Sequence, residues 1–276
     1  MEINSAIGVF DSGVGGLTVL KQLIRFLPNE HFLYLGDTAR VPYGNKSAEI
    51  VKRYAEEATH FLLSKNVKML VIACNTVSSI AIETVKEIAG DVPVVGMIDF
   101  SAIAAYRASR TKNIGIIGTR ATIESKGYEK HLNHISSGGN LKLYSKSCPL
   151  FVPLVEEVLV DHPATKLIAT EYLSEFANGK IDTLILGCTH YPALAKVINE
   201  ILPNVHLIDT GEQSSIQVLR LLAEKHLLNN QPIDFSNIPK VDFYLTDLSP
   251  NFKKIAEFLL GFNIEKPQFI SLENEQ

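Results

Sequence analysis

Short apolar runs alternate with segments of helical periodicity along almost the whole chain, and this alternation constrains the fold most. Ala6–Phe10, His31–Leu35, Met69–Ala73 and Val92–Met97 each read as a buried strand. Between them, Leu17, Leu20, Leu23, Ile24 and Leu27 share one helical face, and so do Ile50, Val51, Tyr54, Ala58, Phe61 and Leu62. A third helix carries Val77, Ile80, Ala81, Val85 and Ile88. Strands that alternate with helices predict α/β architecture, with mostly parallel sheets flanked by helices.

A second round opens at Ile114–Ile117, followed by a helix from Thr122. A strand at Leu184–Leu186, a helix with Pro192 in its first turn and a strand at Val205–Ile208 follow. The tail adds a strand at Val241–Leu245, a helix opened by Ser249-Pro250 and closed near Gly261, and a last strand around Phe269. Asn229–Pro239 reads as a linker. The two rounds are alike. Strand-Asp11-Ser12-Gly13 matches strand-Gly118-Thr119, and Met69–Thr76 matches Thr183–His190, with one cysteine in each. The expectation is two similar α/β domains, residues 1–98 with 209–276 and residues 99–208, facing each other across a cleft.

The repeat singles out Cys74 and Cys188. Each follows a buried strand and precedes an amphipathic helix. Ligands bind at the carboxyl ends of strands in open α/β sheets. A helix N-terminus there attracts carboxylates and lowers a thiol's pKa. Cys148 lies before Pro149 in no such setting and reads as core. The cysteines lack CxxC spacing, which speaks against a zinc ribbon or a thioredoxin motif. One thiol on each side of a substrate suits inversion of a carbon: one group removes a proton and the other returns one to the opposite face. The thiols are then expected to lie beyond disulfide reach.

The neighbours are small and polar. Asp11 either orients or deprotonates Cys74, or caps a helix. His190 is placed to relay the proton of Cys188, while Asn75, Thr76 and Thr189 offer donors to carboxylates. Gly13-Val-Gly-Gly16 follows a strand as a dinucleotide fingerprint does, but Thr18 stands where its third glycine belongs. A tight turn with exposed N–H groups is the better reading.

A net charge of −4, with the charges interspersed, gives no basic stripe for nucleic acid. No run is long and apolar enough for a membrane span, and the N-terminus lacks a signal-peptide pattern. A cytoplasmic protein acting on a small molecule is expected, with no nucleic-acid or membrane partner.

Five motifs in this order resemble glutamate racemase: Phe10–Leu17, Val41-Pro-Tyr-Gly44, Ala73-Cys-Asn-Thr76, Cys148–Glu156 and Gly187-Cys-Thr-His-Tyr-Pro192. The resemblance runs from about Ile7 to the last strand. The cysteine motifs alone are shared with aspartate racemases. The resemblance implies interconversion of L- and D-glutamate for peptidoglycan, without pyridoxal phosphate or metal. It implies that Cys74 deprotonates D-glutamate with help from Asp11, and that Cys188 deprotonates L-glutamate with help from His190 and Glu156. It implies a substrate site lined by Ser12, Pro42, Tyr43, Gly44, Asn75, Thr76, Thr119 and Thr189. Glu157 adjoins Glu156, and motif position favours Glu156. Many members are dimers, so a homodimer is compatible with the resemblance. Some carry an N-terminal extension that responds to a peptidoglycan precursor. Only Met1–Ser5 precede the first strand here, so that control is not expected. The rival readings are an aspartate racemase, a thiol hydrolase using Cys188, His190 and Glu156, and a two-lobed binding module.

Overall fold

The computed structural model describes residues 2–231 and 240–272. The first round consists of β1 (Ile7–Asp11), α1 (Leu17–Phe26), β2 (Phe32–Gly36), α2 (Ala48–Ser64), β3 (Met69–Ile72), α3 (Asn75–Ile80), α4 (Ile82–Ala89), β4 (Val94–Val95) and α5 (Ile98–Ala108). Its first three strands are buried throughout, as expected for a parallel sheet covered on both faces. Leu17, Val19, Leu20 and Leu23 form the buried face of α1, and Pro28 follows its end.

Two expectations change here. The single helix after Cys74 is two, because Ala81 leaves helical geometry at φ −123° and ψ 7°. The strand expected over Val92–Met97 shrinks to Val94–Val95. Pro93 has no N–H for the ladder, and the Met97 N–H donates to Ser78 Oγ instead. Helix α5 follows at once, with no gap for a longer strand.

The second round consists of β5 (Asn113–Gly118), α6 (Arg120–Glu124), α7 (Gly127–Ser136), β6 (Lys142–Ser147), α8 (Phe151–Glu156), α9 (Pro163–Leu173), β7 (Thr183–Gly187), α10 (Ala195–Ile201), β8 (His206–Asp209) and α11 (Thr210–Glu224). The expected helix from Thr122 is divided, because Lys126 adopts a left-handed φ of 55°. The segment after Cys188 begins as a 3-10 turn at Tyr191–Leu194 and becomes α-helical only at Ala195. Cys188 therefore does not sit at an α-helix N-terminus as Cys74 does.

The tail supplies β9 (Val241–Leu245), α12 (Phe252–Leu260) and β10 (Gln268–Phe269). Gly261 ends α12 in the left-handed region at φ 85°, where glycine carries no steric penalty. Of the expected linker, residues 232–239 lie outside the described residues.

The strands form two parallel sheets, ordered β10-β9-β2-β1-β3-β4 and β6-β5-β7-β8. The order β2-β1-β3-β4 is repeated as β6-β5-β7-β8, so the likeness between the rounds is a likeness of topology. In each sheet the chain leaves the first strand toward one side and returns on the other. Ligand crevices open at such switch points, beyond the strand C-termini. Cys74 follows β3 and Cys188 follows β7, the equivalent strands.

At the opposite end of the first sheet, Lys68 and Glu30 form a buried ion pair at 2.6 Å. The Lys68 ammonium also donates to the carbonyls of Ile3 and Leu227, at 2.6 and 2.8 Å. The charge is thus fully partnered, and the pair ties the chain's start to the segment after α11. Among the described residues no helix is long and apolar enough to cross a membrane.

Candidate active site

The Cys74 side of the cleft is assembled from the ends of β1 and β3. Cys74 is the N-cap of α3 in extended geometry, and it is only 5% exposed. Its Sγ lies 3.4 Å from Ser12 Oγ. Burial pushes this thiol up to about 12, and the Asp11 carboxylate adds to the rise. The Ser12 hydroxyl and the Val77 N–H act against it. Asp11 itself is fully buried, and its Oδ2 accepts the Gly13 N–H at 3.0 Å. Burial also raises the Asp11 carboxyl, against the backbone N–H groups of Gly16 and Gly13 and the charge of His190. Asp11 and Cys74 share no hydrogen bond, so their coupling is one of charge.

The Cys188 side is a relay. His190 Nδ1 lies 3.7 Å from Cys188 Sγ, and its Nε2 lies 2.9 Å from Glu156 Oε1. Burial disfavours the charged ring, but the hydrogen bonds to Cys188 and Glu156 outweigh it. The imidazole is pushed up to about 10, toward its charged form. Glu156 ends α8, whereas Glu157 is exposed as the C-cap and makes no such contact. Opposite, the α1 turn fits closely: a Cβ on Gly15 would come 2.3 Å from Thr189 Oγ1 and 2.4 Å from the His190 ring. Only glycine leaves that space, which accounts for one glycine of the fingerprint-like turn. Thr18, at the position of the missing third glycine, donates to the Thr189 carbonyl at 2.7 Å.

Both thiols line a single cleft of about 560 Å³. Ser12, Pro42, Tyr43, Gly44, Asn75, Thr76, Thr119, Thr189, His190 and Glu156 line it too. Asp11 is fully buried and does not line it. Cys148 is fully buried away from the cleft, with its carbonyl accepting the Tyr191 hydroxyl at 2.8 Å.

A buried network holds the Pro42–Gly44 loop in place. Asp37 accepts from Arg40 Nε at 2.7 Å, from the Tyr43 hydroxyl, and from Thr246 Oγ1 at 2.8 Å. Arg40 also pairs with Glu57 and lies 3.9 Å over the Tyr54 ring. The hydroxyls of Thr76, Thr119 and Thr122 contact one another at 2.9 to 3.2 Å, joining α3 to α6.

A family model described as Asp/Glu/hydantoin racemase matches residues 7–213, three quarters of the chain and both thiols. The chain belongs to this racemase family. It is an amino-acid racemase, an isomerase. The racemase is 42% identical to a glutamate racemase from Chlorobaculum tepidum, over 98% of this chain and 97% of the relative. The crystal structure of glutamate racemase from Francisella tularensis in complex with D-glutamate is 40% identical. It superposes with a TM-score of 0.90 over 98% of this chain and 99% of that one. A glutamate racemase isoform from Bacillus anthracis is 38% identical, with a TM-score of 0.91 and the same coverage.

The racemase cleft also has walls that the sequence reading did not assign. Pro149, Leu150, Val152 and Pro153 enter from around α8, and Tyr172 from α9. The first four belong to the Cys148–Glu156 motif, next to Glu156 in the chain. Tyr172 left no such signal. Arg120 and Asn45 meet at 3.4 Å across the cleft mouth, from α6 and the loop before α2.

Proposed function

We propose that this racemase interconverts L- and D-glutamate without a cofactor, using Cys74 and Cys188 as bases on opposite faces of the α-carbon. One observation carries the reading: two thiols, at equivalent strand ends of two like sheets, line one cleft. The glutamate racemases at about this level of identity, one of them crystallised with D-glutamate, support the substrate. In this reading residues 1–98 with 209–276 form the domain of Cys74, and residues 99–208 that of Cys188. The D-glutamate produced serves peptidoglycan.

In the L-to-D direction the Cys188 thiolate, beside the His190 ring, takes the α-proton. Cys74 returns a proton to the opposite face. A thiol raised to about 12 holds its proton at neutral pH, as a donor must. In the D-to-L direction the roles exchange. Raised proton affinity then makes the Cys74 thiolate a stronger base toward a weakly acidic carbon, at the expense of the fraction ionised. Asp11 contributes to this through its charge. Donors from Ser12, Asn75, Thr76, Thr119 and Thr189 bind the carboxylates and stabilise the carbanion.

Circular dichroism of L-glutamate with the purified protein and no added cofactor tests the substrate directly. The signal is expected to decay to zero, because enantiomers are equal in free energy. L-aspartate under the same conditions is expected to lose signal at least about 100-fold more slowly, since unpaired carboxylate donors are costly. Equal or faster decay with aspartate would reassign the substrate.

A further inference from the structure

Asn75 directly follows Cys74 and lines the cleft. Its amide offers two N–H donors on Nδ2 and an acceptor at Oδ1. The Thr210 hydroxyl lies 3.4 Å from Asn75 Nδ2 and donates to the Leu186 carbonyl at 3.5 Å. A hydroxyl whose one proton goes to a carbonyl can only accept from the amide. So Nδ2 faces Thr210, and Oδ1 faces Tyr128, whose hydroxyl donates to it. The second N–H of Nδ2 makes no hydrogen bond among the described residues.

Tyr128 is fully buried on α7, in the second round of the fold. Its hydroxyl reaches across to Asn75 in the first round. Its ring packs on Gly187, where an added Cβ would come 3.1 Å from Tyr128 Cε2. One side chain therefore touches the residue after Cys74 and the residue before Cys188. Burial, with the charges of Cys188 and Asp99, keeps its phenol protonated and so always a donor.

We infer that Tyr128 is a positioning residue for racemisation: it fixes the Asn75 amide with its free N–H toward the substrate, and braces the Cys74 turn against the Cys188 strand. The inference rests on the proposed role of Asn75 as a substrate donor.

The test compares KM and kcat for L- and D-glutamate in full-length variants. Tyr128→Phe keeps the ring and removes the hydroxyl. KM is expected to rise about tenfold, with kcat falling less than about threefold, as for one lost hydrogen bond to a charged ligand. Asn75→Ala is expected to raise KM at least as much. The double variant should be no worse than Asn75→Ala alone, because Tyr128 acts through Asn75. Thr210→Val releases the other end of the amide and is expected to raise KM as well. A merely structural Tyr128 would lower the thermal midpoint or the active fraction, hence apparent kcat, and leave KM unchanged; that result overturns the inference. Raised KM in Asn75→Ala with unchanged KM in Tyr128→Phe would overturn it alone. Unchanged KM in Asn75→Ala would remove the substrate role of Asn75 and the inference with it.

Discussion

Cys74→Ala and Cys188→Ala are each expected to lower kcat/KM for glutamate racemisation by about 10³-fold or more, the scale of a lost general acid or base. The effect should be as large for either thiol, because each turnover needs one base and one acid. It should also be equal in both directions. The equilibrium constant between enantiomers is one, so kcat/KM for L- and D-glutamate must stay equal in every variant. Asymmetry is confined to kcat and KM taken separately. Both thiols are buried but bridge nothing, so the variants are expected to keep the native far-ultraviolet spectrum. Cys148→Ala serves as the control and should leave the catalytic parameters nearly unchanged. Full activity in Cys74→Ala would instead favour single-thiol chemistry on the Cys188–His190–Glu156 relay.

His190→Asn is expected to produce the next largest loss, about 100-fold in kcat/KM near neutral pH. The imidazole faces Cys188 Sγ at 3.7 Å and Glu156 Oε1 at 2.9 Å. A ring at that distance can take and return the Cys188 proton. Without it that relay is lost. For the unaltered protein the pH dependence lies at the alkaline end. The His190 pKa is raised in the folded state, so the support it gives is complete below its unfolded value. That support is lost as pH rises through about 10. Activity and thermal midpoint should both decline there. A pH profile unchanged by His190→Asn would separate the ring from the proton transfer.

Much of this was legible in local sequence, for a physical reason. Strand ends, turns and helix starts are set by neighbouring residues, and the catalytic candidates sit at those points. Asp11-Ser12 lie at the end of a fully buried strand, and Cys74-Asn75-Thr76 and Cys188-Thr189-His190 each come just after one, whose apolar run is easily read. What escaped depends on contacts distant in sequence. Strand β6 is a polar, half-buried edge strand, Lys-Leu-Tyr-Ser-Lys-Ser, with no apolar run to mark it. The break falls at Ala81, itself of the best helix-forming type. The Tyr128–Asn75 contact links residues 53 apart, and no spacing rule brings them together. Asp11 stood open between a partner of Cys74 and a helix cap; its carboxylate accepts the Gly13 N–H, and its charge raises the Cys74 thiol.

In the proposed reaction two different groups handle the proton on the two faces. Racemisation of L-glutamate in deuterated water tests it most directly, with product and remaining substrate analysed at low conversion. The two-thiol account expects the early D-glutamate to carry deuterium at the α-carbon while the remaining L-glutamate stays protiated. Equal early labelling of both enantiomers would mean that one shared base serves both faces, and would contradict it.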